Sequence, residues 1–267
     1  MLEFTFNRDL ENVSPWQKAN RLSLNVEKTK LLIFHSKHKM VDESSVGIKL
    51  SGHNLKPSDD VKYLGMMLDK NLSWDSHIHN LRNKLGRANG VISKLRHFVP
   101  VNILTSIYYA IFHSQVLYGC NSWSLTSFKN IDAISVLQKK CIRIMNFAPY
   151  NSHSNGLFLS NNIVKLTDTL RNEKIKLAFL FQRNFLPVDL MSLFHRNENK
   201  YNTRNMSKGG LCIPKINSTV YGERTLRFSV PSLWNEFIKY NDVNNFANLN
   251  QLKRHLKKIS IETYKVT

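Results

Sequence analysis

The first 75 residues alternate short apolar runs with polar turns, as in a small sheet that carries one helix. Leu10, Val13 and Trp16 recur at helical spacing, which predicts an amphipathic helix over residues 8–22. Apolar runs that read as strands follow at residues 30–35, 46–50, near 55 and 61–68. The first of these is expected to be a buried strand, and the last a single strand of an antiparallel sheet.

From Trp74 onward the apolar period changes from two to about three and a half. One continuous stripe predicts a helix that ends before Pro100 and is formed by Ile78, Leu81, Leu85, Ala88, Ile92 and Leu95. Further helices are predicted at about residues 101–118, 130–147 and 167–185, from Pro231, and at 246–259. The helix over 101–118 is apolar nearly all round and is expected at the centre of a bundle. The predicted fold class is therefore α+β, mainly helical.

Charge narrows the choice of partner. The chain carries 38 Lys and Arg residues against 19 Asp and Glu residues, a formal charge of +19, within a composition that is 42% hydrophobic and typical of a globular protein. Nucleic acid is the usual partner of such an excess. Two alternatives stay open: an AT-rich coding sequence that raises the Lys content, and an anionic membrane surface.

Cysteine and hydropathy patterns indicate a soluble protein of a reducing compartment, nucleus or cytoplasm. Cys120, Cys141 and Cys212 form no CxxC pair and no even set. The apolar stretch 103–117 is interrupted by polar residues and is too short to span a bilayer of about 30 Å. No signal-peptide pattern follows Met1.

The sequence contains no complete catalytic constellation that its motifs reveal. P-loop, nucleophile-elbow and GxGxxG patterns do not occur. Asp59-Asp60 is the adjacent carboxylate pair that two-metal chemistry could use, but no third carboxylate is placed to complete a site, so the pair favours a turn. The pairs His35/His38 and His77/His79 are expected on the surface or partly buried rather than at a metal. No catalytic residue and no metal ligand is predicted.

Basic residues recur on the polar sides of successive predicted helices. Arg82, Arg87 and Lys94 point away from the apolar stripe, and Lys139 and Arg143 lie four residues apart on a later helix. The plain interpretation is a solvated helix face. Their concentration on consecutive helices, among aromatic residues, favours a groove that follows a nucleic-acid backbone.

A series of local patterns follows along the whole chain: Trp16 to Lys30, Lys62-Tyr63-Leu64-Gly65, Leu72-Ser73-Trp74, Leu117-Tyr118-Gly119, Leu137-Gln138-Lys139, Tyr201-Asn202-Thr203-Arg204 and Pro231-Ser232-Leu233-Trp234-Asn235. In this order they resemble the downstream half of reverse transcriptases encoded by jockey-like non-LTR retrotransposons. Each is weak alone, and their common order carries the resemblance. One departure concerns the last motif, because the family usually has Leu-Pro where this chain has Glu236-Phe237-Ile238, which leaves the local turn open.

The resemblance implies that the catalytic hairpin, an aromatic-x-Asp-Asp motif, would lie just before the Trp16 helix. Asp59-Asp60 cannot replace it, because that pair comes after the helix. The expectation is a truncated chain without the fingers and the upstream catalytic aspartates, which holds no cofactor and does not polymerise alone, whereas the full-length family enzyme uses Mg²⁺. The alternative is that the coding sequence continues upstream of Met1.

By the same resemblance, residues 1–75 form a partial palm with a primer-grip-like hairpin, 76–149 a thumb-like bundle and 150–267 a C-terminal connector. Lys28 is the candidate to approach nucleotide phosphates, with a plain turn lysine as the alternative. Tyr63, Leu64 and Gly65 are the primer-grip candidates, although Tyr63 and Leu64 could equally be core residues.

The expected partners are RNA, DNA or an RNA–DNA hybrid, together with the missing palm and fingers portion, and no membrane. The rival hypothesis is a non-enzymatic remnant or a domesticated interaction protein without nucleic-acid function.

Overall fold

The structure is a computed structural model that describes residues 2–22, 25, 27–39, 41–42, 46–50, 52–197 and 209–265. The chain divides into two compact units, Met1–His77 and Ile78–Thr267. The predicted division into palm, thumb and connector stays a prediction. The Tyr201–Arg204 motif lies outside the described residues.

The first unit joins one helix to two small antiparallel hairpins. Its elements are α1 (Leu2–Ala19), β1 (Lys49–Leu50), β2 (His53–Asn54), β3 (Asp60–Tyr63) and β4 (Met66–Asp69). Asn7 ties α1 to β1, because its side-chain amide donates to the Gly47 carbonyl (2.9 Å) and accepts from the Lys49 N–H (2.9 Å). A small core of Ile48, Leu50 and Leu55 packs against Leu10 and Leu31.

Two strand predictions for this unit are wrong. Residues 61–68 form a hairpin rather than one strand, since Tyr63 pairs with Met66 and the chain reverses between them. The run 30–35 is not a buried strand: its described ladder contact is a single parallel bridge from Leu31 to Pro57, and Phe34 is exposed. Hydrogen bonds to loops, such as that from the His35 N–H to the Lys70 carbonyl (3.0 Å), satisfy part of its backbone instead.

The second unit is helical, and most of α2 belongs to it. Its helices are α2 (Asp75–Leu95), α3 (Val101–Ile107), a π-helical segment (Tyr108–His113), α4 (Ser114–Leu117), α5 (Cys120–Trp123), α6 (Phe128–Met145), α7 (Asn155–Ser160), α8 (Leu166–Gln182), α9 (Val188–Met191), a second π-helical segment (Thr219–Glu223), α10 (Leu226–Tyr240), a 3₁₀ turn (Val243–Asn245) and α11 (Leu249–Thr263). The prediction of a mainly helical α+β protein is confirmed.

A buried glutamine links three of these helices. Gln138 on α6 donates to the Tyr108 hydroxyl (2.8 Å) and the Val164 carbonyl (3.0 Å), and its side-chain oxygen accepts from the Leu166 N–H (2.7 Å). The amide therefore satisfies the first turn of α8 while it anchors the π-helical segment. Burial of such a group is tolerated because each of these polar atoms has a partner.

Helix α10 begins at Leu226, five residues before the predicted start, and contains Pro231. Val230 and Pro231 are buried, so tertiary packing overrides the usual position of proline in the first turn. The segment Glu236-Phe237-Ile238 continues the helix instead of turning. Phe237 and Ile238 join the core, while Glu236 pairs with Arg171 on α8 at 3.0 Å.

Candidate nucleic-acid interface

The β3–β4 hairpin presents two apolar side chains at its tip. Leu64 (φ 45°) and Gly65 (φ 81°) both adopt left-handed backbone conformations, as in the two-residue turns that suit twisted hairpins. Tyr63 is 59% exposed and Leu64 70% exposed. The alternative that these two residues are core residues is therefore wrong, and the primer-grip candidates lie together on one exposed turn.

Lys28 lies in a hydrogen-bonded turn. Its backbone N–H donates to the Asn25 side-chain oxygen (3.0 Å), and both the N–H and the hydroxyl of Thr29 donate to the Asn25 carbonyl (3.1 and 2.9 Å). The Lys28 side chain is exposed. The turn is thus shown, and contact of Lys28 with a nucleotide phosphate stays a prediction.

The Asp59-Asp60 pair closes the same hairpin rather than converging on one point. Asp59 bonds the Lys70 ammonium at 2.7 Å, and this hydrogen bond and the charge of Lys70 lower the pKa of the Asp59 carboxyl. Asp60 stands opposite Asp69 across the strands. Within the described ranges, no group of three or more His, Cys, Asp or Glu side chains is placed to hold a metal ion.

Asp69 organises the entry to α2, a role that the sequence motifs do not indicate. Its carboxylate accepts from the N–H groups of Asn71 (3.1 Å), Ser73 (2.9 Å) and Trp74 (2.7 Å). These bonds hold Leu72 and Trp74 in left-handed conformations, which side chains other than glycine rarely adopt. The local sequence signal is an Asp at the start of a polar turn, because an Asp side chain commonly accepts hydrogen bonds from the backbone N–H groups that follow it.

Helix α2 carries three of the predicted backbone-binding residues on its exposed side. Arg82, Arg87 and Lys94 are exposed, whereas Leu85 and Ile92 are fully buried. Arg87 and Lys94 are two turns apart and share one face, whereas Arg82 projects in a different direction because five residues correspond to about 140° of rotation. The burial of one stripe fixes the direction in which Arg87 and Lys94 point.

Helix α6 uses its predicted cations differently. Lys139 and Arg143 are both half-buried. The Arg143 Nε donates to the Ser152 carbonyl at 2.9 Å, so part of its guanidinium braces the loop after the helix. Lys139 lies close enough to Lys165 to contribute to its lowered pKa, after the larger effect of burial and the opposing charge of Asp168.

Hydrogen bonds join α2 to α6 within the second unit. The Asn89 amide donates to the Leu137 carbonyl (3.1 Å), and Arg96 donates to the Ile144 carbonyl (3.3 Å) while its guanidinium lies 4.6 Å from the centre of the Phe147 ring. Side-chain hydrogen bonds thus connect the two helices that carry the five predicted cations. Arg96 was missed by the sequence analysis, because its partner lies 48 residues away in the chain.

Comparisons with known proteins add a second line of evidence. The chain is 25% identical over 167 residues to the RNA-directed DNA polymerase from mobile element jockey of Drosophila melanogaster, a match that covers 61% of this chain and 18% of the relative. It is 24% identical over 129 residues to the jockey polymerase of Drosophila funebris, covering 47% and 14%. The predicted resemblance to jockey-like polymerases is confirmed.

A third relative matches a larger share of the chain. The chain is 26% identical over 201 residues to the protein described as "Probable RNA-directed DNA polymerase from transposon BS" of Drosophila melanogaster, covering 67% of this chain and 21% of the relative. The chain thus spans about a fifth of the length of the curated relatives it matches. No protein-family model matches the chain, and no solved structure matches it.

A separate observation concerns membranes. Among the helices in the described part of the chain, none is long and apolar enough to cross a bilayer.

Proposed function

We propose that this chain is a nucleic-acid-binding portion of a jockey-like RNA-directed DNA polymerase, and that the basic faces of α2 and α6 hold the phosphate backbone of RNA, DNA or their hybrid. The observation that carries the proposal is the exposed set Arg82, Arg87 and Lys94 on α2, a helix whose orientation is fixed by its buried stripe. The similarity to polymerases supports it, because those relatives act on RNA and DNA.

Such a surface binds through the release of counterions. Each phosphate that Lys or Arg neutralises lowers the slope of log K against log salt concentration by about 0.9 for duplex DNA. The binding is therefore expected to be steeply salt-dependent and to show little preference for sequence.

The test is the fluorescence anisotropy of a labelled 20-base-pair RNA–DNA hybrid, titrated with the chain between 50 and 200 mM salt (about two salt doublings, enough to define the slope). The triple variant Arg82→Gln, Arg87→Gln, Lys94→Gln is expected to bind more weakly. Its plot of log K against log salt concentration should be less steep, by about 2–3 units of slope. Loss of three exposed charges should leave the fold intact.

The matched control removes the same charge elsewhere on the second unit. Lys215, Arg227 and Lys239 are exposed, and their replacement by Gln should leave most of the affinity and slope in place. Salt-independent binding by the wild type, or an equal loss in both triple variants, contradicts the proposal.

Polymerase chemistry is proposed to need more than this chain. Asp59 is engaged with Lys70, and Asp60 faces Asp69, so the adjacent pair lacks the convergence that two metal ions require. Extension of a primed RNA template in the presence of Mg²⁺ should give no product with the chain alone. Incorporation of labelled nucleotide above the level of a protein-free control overturns this statement.

The first unit is proposed to dock on the remaining part of the polymerase. Phe4 (74% exposed) and Trp16 (60% exposed) lie on α1, and Phe34 is exposed in the same unit. These exposed large apolar side chains in a small unit support an interaction role for it, and the chain covers about a fifth of its relatives. The occupant proposed is a palm and fingers fragment of the same polymerase.

Thermal melts with and without a separately produced palm and fingers fragment test this docking. The fragment should raise the melting temperature of the wild type, and the variant Phe4→Ser, Trp16→Ser should lose that shift. The variant Phe128→Ser, Tyr240→Ser, which alters exposed aromatics of the second unit, should keep it.

The same exposed residues favour one rival, a non-enzymatic interaction protein without nucleic-acid function. The two hypotheses separate on the hybrid-binding assay. Docking without salt-dependent hybrid binding supports the rival, whereas binding that depends on Arg82, Arg87 and Lys94 supports the polymerase portion.

A further inference from the structure

A cleft of about 360 Å³ lies within the second unit, away from the basic face of α2. Its walls come from the π-helical segment, α8 and α11, and the chemistry-bearing residues that line it are Tyr109, His113, Glu173, Lys176, Lys253 and Lys257. This volume is within the range of sites that hold small organic ligands. It shares no residue with the surface proposed to bind the nucleic-acid backbone.

The π-helical segment places two aromatic residues in the core and two in the wall of the cleft. Tyr108 and Phe112 are fully buried and stack on each other with ring centres 5.3 Å apart. Tyr109 and His113 line the cleft, with their rings edge to face at 5.1 Å. The flanking residues Ile107 and Ser114 have regular helical angles, so the irregular turn is local. Such π-helical turns are rare and concentrate at functional sites.

Positive charge dominates the rim of the cleft. Glu173 forms an ion pair with Lys176 on the same turn of α8. Lys253 and Lys257 lie one turn apart on α11, and no residue in the described ranges forms an ion pair with either. The Lys257 ammonium lies 6.0 Å from the centre of the Tyr109 ring. Three ammonium groups thus line the cleft with one carboxylate, and the positive charge of Lys257 lies beside the Tyr109 ring.

His113 lies on the buried side of the cleft. Burial lowers the pKa of His113 to about 4, with further contributions from the positive charges of Lys176 and Lys257. The imidazole is therefore neutral near pH 7, and it offers a polar ring atom without adding a fourth cation.

We infer that this cleft binds a nucleotide, with the phosphate between Lys253 and Lys257 and the base against Tyr109. An anion is favoured because three ammonium groups line the cleft with a single carboxylate, and a flat ring is favoured because Tyr109 and His113 form an aromatic wall. The nucleotide has two possible sources, a free mononucleotide or one unit of a bound single strand, and both present the same chemistry.

Isothermal titration calorimetry with AMP, with inorganic phosphate and with a single-stranded oligonucleotide tests the inference. The variant Lys253→Gln, Lys257→Gln should weaken nucleotide binding by at least about tenfold, because each lysine supplies a charged hydrogen bond. The matched control is Arg254→Gln, Lys258→Gln, which removes the same charge from the same helix at exposed positions that do not line the cleft. This control should bind AMP as the wild type does.

A second variant separates ring stacking from charge. Tyr109→Leu should weaken AMP binding severalfold and leave the affinity for inorganic phosphate unchanged, since the ring contacts the base and the lysines hold the phosphate. A melting temperature close to that of the wild type confirms that Tyr109→Leu is folded.

The outcomes distinguish the two sources. If AMP and the oligonucleotide both lose affinity in the Lys253/Lys257 variant but not in its control, the cleft takes free nucleotides. If only the oligonucleotide does, the cleft holds a unit of the strand. Equal loss of affinity in the Lys253/Lys257 variant and the Arg254/Lys258 control, toward both probes, overturns the inference, whatever happens to the hybrid-binding surface on α2.

Discussion

His113 shows how the surroundings of one side chain set its chemistry. Its ring lies 5.1 Å from the Tyr109 ring and 6.0 Å from the Tyr108 ring, and burial is the largest cause that lowers its pKa from 6.5 to about 4. The folded state therefore binds this proton less readily than the unfolded state.

Stability should consequently fall as the pH drops from about 6.5 towards 4, because the unfolded chain takes up a proton that the folded chain refuses. Between pH 7.5 and 4.5 the wild type is expected to lose roughly 2 kcal/mol of unfolding free energy through His113, and the variant His113→Gln should not show this loss. Urea unfolding at pH 4.5 and 7.5 measures this difference. The exposed His79→Gln is the control, and equal pH dependence in His113→Gln and the wild type refutes the prediction.

Gly65 has a backbone conformation that favours glycine over other residues. Its φ of 81° at the tip of the β3–β4 hairpin suits glycine, and an added side chain is strained there whatever the space. Gly65→Ala should destabilise the first unit by about 1–2 kcal/mol, seen as a lower melting temperature. Gly47→Ala is the matched control in the same unit, since no atom lies within 4 Å of the new Cβ. An equal effect of both substitutions contradicts this explanation.

At the scale of elements, two surface glycines weaken α2. Gly86 and Gly90 are exposed in the middle of the helix, and an added Cβ would meet no atom within 4 Å at either position. Glycine in a helix interior costs stability relative to alanine without any packing reason at these two sites.

Gly90→Ala should therefore stabilise the second unit by about 0.5–1 kcal/mol, measured by urea unfolding. Gly222→Ala is the contrasting variant, because its Cβ would approach the Ile216 Cβ to 2.8 Å and force a shift. A stabilised Gly222→Ala or a destabilised Gly90→Ala would falsify this reasoning.

Sequence periodicity located most helices to within a few residues and failed where packing decides. The predicted helix over 101–118 contains the π-helical segment Tyr108–His113, and Gln138 on another helix donates a hydrogen bond to the Tyr108 hydroxyl there. Helix α10 begins five residues before its predicted start, and Val230 and Pro231 are buried within it. The local sequence shows neither feature. The Gln138–Tyr108 hydrogen bond joins residues distant in the chain, and the burial of Val230 and Pro231 depends on packing against other parts of the fold.

At the scale of the whole molecule, the two compact units carry different tasks in the proposed function. Arg82, Arg87, Lys94, Lys139 and Arg143 all lie in the second unit, and the exposed aromatics proposed to dock lie in the first. Hybrid binding should therefore survive without the first unit.

A fragment of residues 73–267 should bind the RNA–DNA hybrid with a salt slope within about one unit of that of the whole chain. Circular dichroism confirms that the fragment keeps its helices, and fluorescence anisotropy measures the slope. Loss of binding by a helical fragment shows that the first unit supplies phosphate contacts.

The sequence alone determined the fold class, the basic character and the resemblance to jockey-like polymerases, because each of these depends on composition, short-range periodicity or the order of motifs. It also identified the exposed cations of α2, since an apolar stripe on one side of a helix fixes the other. Only the tertiary structure decided that Tyr63 and Leu64 are exposed, that Arg143 braces a loop, and that Lys253 and Lys257 meet Tyr109 and His113 around one cleft. Those features depend on which distant residues share a neighbourhood, and only the folded chain determines that.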